Sequence, residues 1–77
     1  MIIGNSNISS LYIAINNNKI IIVKSGLKDF IIEMKKIDSY VKSKTYYDNH
    51  FRKHNMFYHQ NPETGERYTF QKIQNIK

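Results

Sequence analysis

The sequence predicts a small single α+β domain, an antiparallel sheet of two hairpins with one amphipathic helix packed on one face. Three observations carry this reading. Two β-branched segments flank a triplet of asparagines, a helical apolar period follows them, and two ring-bearing segments near the C-terminus bracket a proline–glycine turn. The order reads ββ-α-(β)-ββ.

The first hairpin spans about residues 8–24. Leu11-Tyr12-Ile13-Ala14-Ile15 and Ile20-Ile21-Ile22-Val23 are rich in strand-forming types. Asn16-Asn17-Asn18 lies between them, and asparagine tolerates the left-handed backbone that short hairpin loops need. Lys24-Ser25-Gly26 then punctuates the chain.

A helix is expected over about 27–42. Leu27, Phe30, Ile31, Met34, Ile37 and Val41 recur at helical spacing and form one continuous face. Ser25 or Gly26 serves as its cap, and Asp29 suits the positive end of the helix dipole. A second hairpin spans about 56–73, turning at Asn61-Pro62-Glu63-Thr64-Gly65. Residues 45–55 fit either a strand or a turn of helix.

The composition narrows the function classes. A chain of 77 residues with no cysteine holds one modest core, and forms neither a disulfide framework nor a thiolate metal site. No run approaches the ~20 apolar residues of a membrane span. Residues 1–5 lack a signal-peptide pattern. The expectation is a cytoplasmic protein with no membrane partner and no cofactor. The net charge is +6, and residues 42–77 carry seven basic side chains against three acids. That excess concentrates polyanions or acidic protein surfaces near the chain.

Counting strand faces gives the strongest functional inference. Leu11, Ile13 and Ile15 share one side of their strand, while Tyr12 and Ala14 share the other. Both sides are apolar, and one helix covers one side. The other is expected to receive a second copy or a ligand. Otherwise residues 1–7 and 45–55 fold over it and complete the core.

Lys28, Lys35 and Lys42 are spaced by seven and make one stripe on a continuous helix. Arg52, Lys53 and His54 mix with rings through Tyr58, a blend suited to phosphates and stacked bases. His50, His54 and His59 lack the acidic partner of a metalloprotease pattern, so no metal site is expected.

The expected function is a non-enzymatic binding module that meets nucleic acid through Lys28, Lys35, Lys42, Lys44, Arg52, Lys53, His54 and Tyr58. Little sequence specificity is expected, since two arginines leave few bidentate base readers. The rival is a protein-binding inhibitor or adaptor that presents the same surface to an acidic groove of a host enzyme. The heavy use of isoleucine, lysine and asparagine, all with AT-rich codons, fits a phage or mobile-element origin. A third class holds a homo-oligomeric structural protein or a metal-free ribonuclease with His54, His59, Arg52, Arg67 and Tyr58 as its groups.

Overall fold

The computed structural model describes residues 10–74. The elements are β1 (Ser10–Asn16), β2 (Lys19–Lys24), α1 (Leu27–Ile37), α2 (Lys44–Lys53), β3 (Met56–Gln60) and β4 (Arg67–Gln74). The strands form one sheet in the order β2-β1-β4-β3, with every neighbouring pair antiparallel. The α+β class and the ββ-α-ββ order agree with the sequence. The optional strand between helix and second hairpin is instead a second helix. Residues 8 and 9 of the expected first strand lie outside the described residues, as does the arm of residues 1–7.

Local chemistry sets the turns. Asn17 and Asn18 both take positive φ, 53° and 64°, which closes the two-residue β1–β2 hairpin. In the β3–β4 turn, the Asn61 side-chain oxygen accepts from the backbone N–H of Glu63 at 2.8 Å and Thr64 at 3.0 Å, and Gly65 supplies φ 77°.

The helix expected to run to residue 42 ends at Ile37. Asp38 stops it. Its backbone is extended, its N–H still reaches the Met34 carbonyl at 2.9 Å, and its Oδ1 accepts from the Tyr40 N–H at 2.8 Å. This side-chain-to-backbone bond offers the chain a turn in place of another helical residue. Ile37 is consequently exposed, whereas Val41 is buried from the loop.

Helix α2 starts at Ser43, whose hydroxyl accepts from the Tyr46 N–H at 3.3 Å. It buries only Tyr47 and Phe51, one turn apart. The core joins Ala14, Ile22, Tyr68 and Phe70 of the sheet to Leu27, Phe30, Ile31 and Met34 of α1, with Tyr47 and Phe51 of α2. Phe30 and Phe70 meet edge to face at 5.1 Å, the favoured arrangement for two buried rings.

Both helices lie against one side of the sheet. Tyr12, Ala14, Ile22, Phe57, Tyr68 and Phe70 point to it. The opposite parity carries Leu11, Ile13, Ile15, Ile20, Val23, Met56, Tyr58 and Ile73 to a face that no described helix covers. Ile20, Val23, Met56 and Tyr58 are exposed. Segment 45–55, one expected cover for this face, packs as α2 on the other side.

Candidate functional site

The charges divide unevenly over the helical layer. Helix α1 carries Lys28, Lys35 and Lys36 against Asp29 and Glu33, and Lys36 pairs with Glu33 at 3.1 Å. Helix α2 and its leading loop carry Lys42, Lys44, Arg52 and Lys53 against Asp48 at the surface, the loop's other acid, Asp38, being buried. Asp48 meets Arg52 at 3.5 Å, one helical turn away, and leaves three lysines without an acidic partner there. The first turn of α2 contains no acid, so its exposed N–H groups add a partial positive charge beside Lys42 and Lys44.

The expected stripe of Lys28, Lys35 and Lys42 does not form. It assumed one continuous helix, and Asp38 breaks that helix before Lys42. Lys28 and Lys35 remain on α1. Lys42 joins Lys44 at the entrance of α2, while Arg52, Lys53 and His54 lie at its exit, where the His54 N–H closes the helix on the His50 carbonyl at 2.9 Å.

Two residues outside the expected set enter the site. Tyr46 is stacked on His50, with centroids 4.4 Å apart, and the Lys42 ammonium stands 5.4 Å from the Tyr46 ring centre. Each pair is four residues apart, a helical signal readable in the sequence. Below them the Tyr47 hydroxyl accepts from the Lys42 N–H at 3.1 Å. Burial pushes the Tyr47 phenol above its ordinary value, helped by Tyr46 and Asp38 and opposed by the Lys42 hydrogen bond. Lys42, Tyr46 and His50 border a cleft of about 270 Å³ between α2 and the edge strand β3, with Phe57, Tyr58 and Gln60 across it.

Tyr58 belongs to the uncovered sheet face and touches this cleft only along the β3 rim. Its ring carries Arg67 instead, 5.1 Å from the ring centre. The groups considered for RNA cleavage are scattered. Arg52 pairs with Asp48, His54 is exposed at the end of α2, Tyr58 and Arg67 share the sheet face, and His59 is buried beside Asp38. Among the described residues, no three His, Cys, Asp or Glu side chains gather in a metal-binding group.

No family model matches this chain, and neither does any curated protein or solved structure. A hollow of about 600 Å³ lies at the hairpin turns around Asn17, Gly65 and Glu66. Its lining includes one cation, Arg67, and one carboxylate, Glu66, and it is therefore a poorer polyanion site than the surface of α2. Among the described residues no helix is long and apolar enough to cross a membrane.

Proposed function

We propose that this chain is a non-enzymatic, cytoplasmic nucleic-acid-binding module whose phosphate-tracking surface is α2 with its leading loop. One observation carries this reading. Lys44, Arg52 and Lys53 crowd a ten-residue helix that holds one acid and buries two side chains, with Lys42 in the loop just before it, so its polarity has little to do with the core. Lysines act on phosphates as point charges without base readout, which implies weak sequence preference. Lys28 and Lys35 on α1 lie among acids and contribute less. Tyr46 is the exposed ring on this surface, and Tyr58 stands across the cleft at its rim. The dispersal of His54, His59 and Arg67 supports a binding role over a catalytic one.

The test is fluorescence anisotropy with labelled single-stranded and duplex oligonucleotides between about 50 and 200 mM salt. Affinity should fall steeply with salt. Replacing Lys42 and Lys44 by alanine should reduce the log–log slope by about 1.5–2, whereas Lys28→Ala with Lys35→Ala should change it by less than about 1. Absence of binding at the lowest salt overturns the proposal.

A second reading, a protein-binding inhibitor or adaptor of phage or mobile-element origin, is favoured by the uncovered apolar sheet face. Contiguous apolar patches are uncommon on monomers. Capture of one cellular enzyme that survives nuclease treatment would favour it. A second copy of the chain is the other protein partner that this face fits.

A further inference from the structure

We infer that two copies associate through the uncovered faces of their sheets, back to back, and that the resulting dimer bridges two nucleic-acid segments. The bridging half rests on the nucleic-acid reading above; the dimer half does not.

The argument begins with where charge is absent. The chain has 12 basic and 6 acidic residues. Among the described residues, the strand register places one of them, Arg67, on the uncovered face, and it sits at the β3–β4 end over Tyr58. The strand lysines all take the other parity. Lys24 and Lys72 are register partners of Tyr12, and Lys19 of Asn16, on the side where the helices pack. In place of charge the face has Leu11, Ile13, Ile15, Ile20, Val23 and Ile73, of which Ile20, Val23 and Ile73 are exposed, Leu11 and Ile15 half-buried, and Ile13 buried.

A polyanion has almost nothing to meet there. An acidic protein surface would lose hydration without gaining partners. A second copy brings the same neutral apolar face, and so requires no opposite charge. It also keeps the two cationic helical layers apart. Sheets stack about 10 Å apart, and a helical layer adds about 10 Å on each side. The helix axes of the two copies then lie roughly 30 Å apart, several Debye lengths at physiological salt.

The area fits a modest affinity. Four strands about 4.8 Å apart and some 20 Å long make a face of roughly 400 Å² per copy. With side-chain relief a pair buries on the order of 1,000 Å², the lower edge for a specific interface. Association is therefore expected at micromolar concentrations.

The geometry has a functional result. Back-to-back sheets direct the two α2 surfaces outward in opposite directions. One segment of nucleic acid cannot lie against both, so each dimer holds two.

Two measurements on the full chain test this. Sedimentation equilibrium from about 1 to 200 μM should show a monomer–dimer transition. In parallel, a duplex fixed to beads should retain a second, labelled duplex only when the protein is present. The variant carrying Ile20→Gln and Val23→Gln changes two exposed side chains without altering net charge. It should weaken dimerisation at least tenfold and abolish retention of the second duplex. Its binding to the fixed duplex, followed at protein concentrations where the parent is monomeric, should change less than twofold. Met56→Gln with Ile73→Gln, on the other half of the face, provides a second variant if the first is not folded by circular dichroism.

A monomer throughout the range overturns the inference and leaves the face to a different protein. Dimerisation with no binding to either duplex upholds the dimer and overturns the nucleic-acid reading. Dimerisation with binding but without retention of the second duplex overturns bridging alone.

Discussion

The Asp38 Oδ2 and the His59 Nε2 lie 3.3 Å apart inside the protein, with side chains 1% and 7% exposed. The approach is not along a hydrogen-bond direction, so neither atom has a hydrogen-bond partner. The pair links the loop after α1 to the edge strand β3 and is stacked about by Tyr68 and Phe70.

Removing one member should cost more than removing both. A buried polar group left without its counterpart costs about 1–3 kcal/mol, and more when charged. Asp38→Ala should therefore destabilise by about 3 kcal/mol, part of it from the lost turn at Tyr40. Asp38→Ala combined with His59→Phe should cost less than the sum of the single changes. Urea unfolding of the four proteins measures the coupling.

Alkaline pH should unfold the protein through its buried phenols. Burial raises the Tyr47 and Tyr68 pKa above the ordinary 10.0, and Asp38 adds to both shifts. A raised folded pKa means that folded protein holds the proton longer than unfolded chain does. The associated stability is complete below pH 10 and is lost as pH rises through the folded values. Tyr47→Phe should cost about 1 kcal/mol at pH 7, through the lost Lys42 bond, and flatten the decline above pH 10. Urea midpoints from pH 8 to 11 provide the check.

Phe70 is fully buried and contacts the rings of Phe30, Tyr47, Phe57 and His59. Phe70→Ala should cost about 3–5 kcal/mol, comparable with the whole stability of so small a domain. Circular dichroism should show a largely unfolded chain at 25 °C.

The Asn17–Asn18 turn has room for improvement. Glycine occupies the left-handed region without the strain a side chain brings. Asn18→Gly should raise stability by about 0.5 kcal/mol, read as a higher thermal midpoint.

On α2, Asp48 restrains Arg52. Asp48→Asn should release the guanidinium and raise the net charge by one. Oligonucleotide affinity should rise about two- to fivefold at low salt, with little change in stability, because exposed pairs contribute about 0.2–1 kcal/mol. Anisotropy at two salt concentrations would register it.

Local pattern made much of the fold legible. The period of Leu27, Phe30, Ile31 and Met34 identified α1, and the asparagines and Gly65 identified the turns. The same period misplaced the end of α1, because Ile37 and Val41 continue it in sequence while Asp38 turns the backbone. Helix α2 was obscured because Tyr47 and Phe51 alone anchor it, among eight polar or exposed neighbours. Its signals were the Ser43 cap and the one-turn pairs Tyr46–His50 and Asp48–Arg52. The Asp38–His59 pairing had no local trace, since it depends on β3 docking beneath the loop. The exposed sheet face followed from strand parity, although its separation from charge required the register.

The register also bears on how the protein is made. Strands β1 and β4 lie side by side at the centre of the sheet, with Ser10 opposite Gln74. Strand β1 must thus wait for β4 to be synthesised before it gains its inner neighbour. Until then the nascent N-terminal hairpin has an oily, half-satisfied margin, vulnerable to clumping with other nascent chains. Such long-range closure slows maturation relative to helical proteins of equal length. It also ties completion of the sheet to the synthesis of β4.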